Sequence, residues 1–356
     1  MLKRLARWSC VTGAAIGLLV TCGVGPAQAA RAPRWRPVYL SRAIYLESIA
    51  ATGPQAAWAV GTTGTGGTGP ALLVWNGSRW RSAKAPGGNG FALEDVQATA
   101  PDDVWVMGST ALGHLETFVW NGSSWRSVSL PDPLSATVLS STDVWGLGEA
   151  QCSAQGSCTS QVWHYQDGAV TTYTVPGAAQ SMAGAGSQVW VLSQQAVRNP
   201  FEAGMTSVPA VYVGNAAGLH KMPTPPGGRI GIYPQIAASP PGHVWALVPP
   251  ARAGRPTHLD YWNGHAWSRR AVPRDLSYGS WSFSYDDHHG VWLGPYVHWT
   301  GRRWLVTNPS KPGPSYDLEY VTAIPRSAST WAIAFADVHI KNRAYRGMIA
   351  LSGRRP

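Results

Sequence analysis

Charge is scarce in this 356-residue chain: Asp, Glu, Lys and Arg together make up 13%. Phe (5), Met (6) and Cys (4) are also few. So little charge excludes a coiled coil and a charged disordered chain. Strongly helix-forming stretches are missing, which argues against a helical bundle. After residue 30 no run approaches 18 consecutive apolar residues, so the mature sequence is not expected to span a membrane by a helix. Catalytic signatures are wanting as well, with no G-x-S-x-G, H-E-x-x-H, P-loop or C-x-x-C. What is present in quantity is Gly (40), Pro (28) and Trp (19), within a composition that is 44% hydrophobic. That is enough apolar material for a large core, cut by Gly and Pro into many short strands.

Residues 1–29 read as a secretory signal peptide. Lys3, Arg4 and Arg7 form a basic start, Val11 to Val24 an apolar stretch, and Ala27-Gln28-Ala29 a small-x-small cleavage site. A rival reading lies inside it: Leu19-Val20-Thr21-Cys22 resembles a lipobox, which would anchor the protein through Cys22. Export leaves Cys152 and Cys158 as an even pair in one Gly/Ser/Gln-rich loop, expected as a disulfide that pins it. The formal charge of +10 falls to +7 without the leader, with 25 basic residues against 18 acidic. No basic run resembles a nucleic-acid arm, and export makes nucleic acid an improbable partner.

Internal repeats decide the expected fold. A Trp-centred apolar strand recurs at Trp58, Trp105, Trp145, Trp190, Trp245, Trp292 and Trp331, at spacings of 47, 40, 45, 55, 47 and 39 residues. That period suits a four-stranded propeller blade. A second element follows it, as V-W-N-G-S-R-W from Val74, V-W-N-G-S-S-W from Val119, Y-W-N-G-H-A-W from Tyr261 and H-W-T-G-R-R-W from His298. Asn-Gly between apolar runs predicts a type I′ hairpin turn, with weaker versions at Asp167-Gly168 and Asn215 to Gly218. A third element precedes the Trp strand, as L-E-S-I from Leu46, L-E-D-V from Leu93 and L-E-Y-V from Leu318. The seventh repeat lacks its outer strand, yet residues 33–40 match that strand's pattern. The sequence therefore predicts an all-β, seven-bladed β-propeller over residues 30–356. Each blade has four antiparallel strands, and the N-terminal strand completes the last blade and closes the ring.

These D-D-V-W-x-x-G and W-N-G-x-x-W repeats resemble those of secreted actinobacterial propeller proteins, and more loosely kelch and galactose-oxidase-type propellers. The resemblance spans Pro33 to Gly353 and implies a fold, since propellers serve as binders, scaffolds and enzymes alike. Galactose-oxidase chemistry would need copper and a Tyr joined to a Cys, and both mature Cys are assigned to one short loop. No catalytic residue, metal or cofactor is assigned.

Functional readings of single motifs stand beside plainer ones. The recurrent Trp residues are expected to wedge blades together. Asp286-Asp287-His288-His289 looks like a metal cluster but falls in a repeat turn, where Asp caps backbone amides. Asn76-Gly77-Ser78 and Asn121-Gly122-Ser123 match a glycosylation sequon and also suit hairpin turns. Nine Arg residues (34, 36, 79, 81, 126, 269, 270, 302 and 303) fall in or beside the outer strands, where charge resists edge association. Long, dissimilar loops are expected between the second and third strands of several blades: 62–70, 152–158, 193–209, 249–258 and 336–346. They share a face with the loops entering each inner strand, where Arg42, Tyr45, Phe91, Arg229, Tyr233, Tyr278, Trp281 and Tyr316 could form an aromatic, cationic mouth. Acidic candidates near it are Glu116, Glu149, Glu202 and Asp275. The leading expectation is an extracellular, non-enzymatic binder or scaffold for a glycan, a cell-wall polymer or another protein. The alternatives are a glycan-active hydrolase or lyase and a lipid-anchored adhesion protein.

Overall fold

The computed structural model describes residues 34–64, 69–131, 135–154, 156–198, 205–226, 234–240, 242–249, 257–273, 282–286, 290–306, 318–334, 338–340 and 343–353. Of the predicted mouth residues, Arg229, Tyr233, Tyr278, Trp281 and Tyr316 lie outside them, as does the leader with Cys22.

Strand β1 is Trp35–Ser41. Blade 1 takes β2 (Ile44–Gly53), β3 (Ala56–Thr63), β4 (Gly69–Trp75) and β5 (Trp80–Ala83). Blade 2 takes β6 (Phe91–Ala100), β7 (Asp103–Thr110), β8 (Leu115–Trp120) and β9 (Trp125–Val128). Blade 3 takes β10 (Ser135–Ser140), β11 (Asp143–Cys152), β12 (Cys158–Gln166) and β13 (Ala169–Pro176). Blade 4 takes β14 (Ala178–Ala185), β15 (Gln188–Arg198), β16 (Met205–Asn215) and β17 (Gly218–Lys221). Blade 5 takes β18 (Gln235–Ser239), β19 (His243–Val248), β20 (His258–Trp262) and β21 (Trp267–Ala271). Blade 6 takes β22 (Phe283–Tyr285), β23 (Val291–Leu293), β24 (Val297–Trp299) and β25 (Trp304–Val306). The seventh contains β26 (Leu318–Ala323) and β27 (Thr330–Ala334), then a small hairpin of β28 (Val338–Ile340) and β29 (Arg343–Tyr345), then β30 (Gly347–Ser352).

Six sheets run in simple chain order, and the seventh runs β1-β30-β27-β26. Strand β1 is thus the outer strand of blade 7, paired antiparallel from Trp35 opposite Ser352 to Ser41 opposite Gly347. The inner strands touch in sequence around the circle, β2 to β6, β10, β14, β18, β22, β26 and back to β2. This is a closed seven-bladed propeller.

Each gap between neighbouring blades holds one hydrophobic cluster, and each of the seven repeat Trp residues fills the gap to the blade that follows it. Trp105, Trp145, Trp190, Trp245 and Trp331 are fully buried, with Trp58 and Trp292 close behind. A flat, wide ring suits a wedge-shaped gap that widens outward, so the same residue recurs at the same register. Trp331 meets Trp75 and Trp80 of blade 1 edge-on, at centroid distances of 5.1 and 5.4 Å.

Inner strands of neighbouring blades do not pair, so some of their amides need other partners. Side chains supply these across four of the gaps. Val96 N–H donates to Ser48 Oγ, Val138 N–H to Gln97 Oε1, Ile236 N–H to Ser181 Oγ and Val321 N–H to Ser282 Oγ, at 2.9–3.3 Å.

Three sequence expectations need correction. The Asn-Gly turns are not type I′. Between Trp75 and Trp80 the loop has four residues, and positive φ falls on Gly77 alone, at 84°. Asn76 contributes its carboxamide, which accepts from the amides of Ser78 and Arg79, and Asn121 and Asn263 repeat the arrangement. Among the described residues, only Asp167-Gly168 has positive φ at both positions of a two-residue turn. Secondly, much of the expected loop at 193–209 is strand, because β15 and β16 pair out to Arg198 opposite Met205. Residues 62–70 and 336–346 likewise contain ladder or hairpin. Thirdly, the outer-strand Arg residues do more than repel edges. Arg269 Nε lies 3.2 Å from the fully buried Asp260, and Arg270 sits 4.9 Å over the Trp299 ring.

Candidate functional site

The entry to β2 brings two predicted residues together with two that were not foreseen. Ser41 closes the turn before β2, its Oγ accepting from Ala43 and Ile44 N–H at 3.1 and 3.0 Å. The turn is held from the other side by Arg346, which follows β29. Its backbone N–H donates to Ser41 O at 2.8 Å, and its guanidinium donates to Gly64 O at 3.3 Å. The same guanidinium lies 5.2 Å above the Tyr45 ring, while Arg42 lies 5.7 Å above the ring of Tyr345. Two reciprocal cation–π pairs thus link blades 7 and 1 at the entry to β2. Tyr345 and Arg346 belong to the loop expected at 336–346, but nothing in their spacing marked them.

Phe91 leaves the set of candidates. It is 3% exposed and packs edge-to-face on Phe118 at 5.8 Å, so it belongs to the core between blades 1 and 2.

The inner strands of three blades carry a Glu at one fixed place in the repeat. Glu47, Glu94 and Glu319 each occupy a β-bulge of the inner strand: the register passes from Leu46 to Ser48, from Leu93 to Asp95 and from Leu318 to Tyr320. A bulge adds one residue and re-aims its side chain. The three bulges lie on consecutive blades, 7, 1 and 2, and their charges act on one another. Burial raises the Glu47 carboxyl above its usual value, and the negative charges of Glu94 and Glu319 raise it further. Tyr320 is also raised, first by burial and then by Glu319, Glu47 and Asp95. Ser109 donates a short hydrogen bond to Glu94. Asp95 accepts from Ser48 Oγ at 2.8 Å and Gln97 Nε2 at 2.9 Å. The signal for this arc was the fixed place of Glu after Leu in three repeats, an unusual residue for an innermost strand. The acids proposed from loop position do not join it. Glu116 and Glu149 are exposed on β8 and β11, and Glu202 and Asp275 lie outside the described residues.

Two His–Asp pairs resemble acid–base dyads and are structural. His164 stacks on Trp145 at 4.0 Å and meets Asp143 at 2.9 Å; His298 stacks on Trp292 at 4.2 Å and meets Asp286. Asp286 also accepts from Gly290 N–H at 2.7 Å, the backbone-capping role expected of that turn, while residues 287–289 lie outside the described set. Among the described residues no three His, Cys, Asp or Glu side chains are grouped to hold a metal ion. Cys152 and Cys158 form a disulfide at the tip of the β11–β12 hairpin. With both sulfurs engaged, neither supplies the thioether of a galactose-oxidase-type copper site.

No family model matches this chain, and no curated protein does. Solved structures do. The β-propeller domain of the Trilobed protease from Pyrococcus furiosus superposes with a TM-score of 0.58 at 11% identity, over 88% of this chain and 94% of that one. YCF48 bound to D1 peptide superposes at 0.51 and 12% identity, over 89% and 96%. Pyrococcus horikoshii acylaminoacyl peptidase superposes at 0.54 and 10%, over 82% of this chain and 49% of its own length. What they share with this chain is the propeller fold. The first is described as having an open velcro topology, whereas here β1 closes blade 7.

Proposed function

We propose that this chain is an exported, non-enzymatic binding or scaffold propeller that holds its ligand at the mouth of blades 7, 1 and 2. One observation carries the reading: bulge-borne carboxylates on three consecutive blades act on one another, and two Arg–Tyr pairs stand at the entry to the inner strand that carries Glu47. A ligand bearing ammonium groups, as an amino-sugar polymer or a basic peptide does, fits the inner arc. The Arg–Tyr pairs suit hydroxyl or acidic groups on the same ligand. Export rests on the leader, with anchoring at Cys22 as its variant. Mass spectrometry of the exported N-terminus separates the two.

A binding screen across glycans, cell-wall polymers and basic peptides tests the site, with Glu94→Gln/Glu319→Gln and Arg42→Ala/Arg346→Ala as paired variants. Binding that weakens with salt and drops at least about tenfold in the Glu pair supports it. A ligand held equally by both variants sinks it.

A second reading is favoured by the Glu47 proton. A raised carboxyl beside other carboxylates is the pairing that glycoside hydrolysis uses for its acid and its nucleophile or base. Release of reducing ends from an oligosaccharide, abolished by Glu47→Gln with binding retained, would establish the hydrolase. Binding without turnover leaves the binder.

A further inference from the structure

The gap between blades 1 and 2 opens into a cleft of about 790 Å³, apart from the mouth site. Trp58, Trp120, Trp125, Pro86 and Pro101 line it, with Lys84 as the one charged residue. Two other seams show a bond that is missing here. In blade 5 the outer-strand Trp267 donates its indole N–H to Pro223 O of the preceding blade at 2.7 Å, and in blade 6 Trp304 donates to Ala271 O at 3.0 Å. Pairing registers place Trp125 at the position of Trp267, and Lys84 at the position of Pro223 and Ala271. The equivalent bond is not made. Trp125 finds no hydrogen-bond partner among the described residues, and the cleft lies where the seam would close.

From this geometry we infer that the cleft between blades 1 and 2 is a docking site for an extended, proline-containing acidic peptide of a partner protein. Three features select that occupant. The chain's own indoles repeatedly take proline carbonyls, as Trp35 with Pro295 at 2.8 Å, Trp75 with Pro54 at 3.0 Å and Trp267 with Pro223. The proposed occupant supplies to Trp125 what the linker supplies at the seams of blades 4 and 5 and of blades 5 and 6. The walls are Trp and Pro rings, and aromatic-lined grooves take polyproline II segments because these are preformed and lose little entropy on binding. The polar edge holds an indole N–H and the Lys84 ammonium, both donors, beside the hydroxyls of Ser123 and Ser124, and prolines offer carbonyls to such donors without an N–H of their own. Charge complementarity adds acid to the peptide, since Arg81 and Arg126 stand exposed on the flanking outer strands and Arg79 in the turn before one of them.

Calorimetric titration of the full mature chain with an acetylated peptide of sequence PPEPPEPP tests this, with PPKPPKPP and a chitooligosaccharide as the other arms. Binding of the acidic peptide is expected, weakened about five- to tenfold by Trp125→Phe, which keeps the ring and removes a donor worth about 1 kcal/mol. Lys84→Glu, on an exposed side chain that leaves the fold intact, should weaken it by a similar factor. Fluorine NMR of 5-fluorotryptophan protein should move the Trp125 resonance and leave Trp267 still. No binding of the acidic peptide, equal binding by both variants, or equal binding of the basic peptide overturns the inference. So does Trp125-dependent binding of the oligosaccharide alone. Loss of mouth binding in the Glu94/Glu319 variant leaves this site untouched, so the two readings fail separately.

Discussion

A buried Trp and a bulged Glu illustrate what single residues contribute. Trp331 is fully buried and touches two further Trp rings across the gap to blade 1. Trp331→Ala should cost about 3–5 kcal/mol in denaturant unfolding, because the cavity spans two blades and neither can collapse into it alone. Glu47 has a pH signature. Its carboxyl is raised in the folded ring above the usual 4.5, so the folded state penalises the ion. As pH falls from neutral through the raised value, the folded chain takes up the proton before the unfolded one does, and stability from this group rises. Glu47→Gln should therefore raise Tm at pH 7, with the gain fading below pH 4.5. A mutant equally stabilised at both pH values would exclude charge as the cause. The seven Trp positions were legible in the sequence because packing repeats them. The role of Glu was not, since the bulge shows in the sequence only as an apolar spacing of three, Leu46 to Ile49, which does not say that the added residue is aimed at its counterparts on neighbouring blades.

Side-chain stitching between inner strands operates at the level of elements. Gln97 on β6 accepts from Val138 N–H at 2.9 Å and donates to Ala136 O at 2.6 Å, joining blade 2 to blade 3. Gln97→Ala strands both backbone groups and should cost about 1–3 kcal/mol, with faster hydrogen exchange at Val138 while blades 5 to 7 keep their rates. Uniform acceleration would argue for global loosening instead. The stitches escape sequence reading because their residue types vary (Ser48, Gln97, Ser181 and Ser282) and their spacing follows each blade's length. The hairpin turns were located correctly from Asn-Gly but mistyped. Type I′ needs two central residues, and these loops hold four, with Asn acting through its side chain.

Closure belongs to the whole molecule, and it was read from residues 33–40 because the outer-strand pattern W-R recurs there. Trp35 anchors β1 by packing its ring at a tilt against Trp292, 5.7 Å between centroids, and donating to Pro295 O. A chain beginning at Ala43 loses these contacts and exposes β30 as an edge. Its Tm should fall, and light scattering should show concentration-dependent association. A monomer of unchanged Tm would mean that closure is dispensable. The contacts at the entry to β2 were only partly legible: Arg42 and Tyr45 stand out in the sequence, but their partners come from a hairpin inserted in the seventh blade, about 300 residues away.

The pairing of β1 with β30 also orders events in time. Ribosomes release β1 first and β30 last, so the strand that ends up outermost in blade 7 waits unpaired while six complete blades are made. Chain-closure entropy grows only slowly with length, so the wait is long but the final docking is cheap. Refolding from denaturant should then show two phases: early formation of blades 1 to 6, and a slower step, seen in Trp35 fluorescence, as the clasp finds its place.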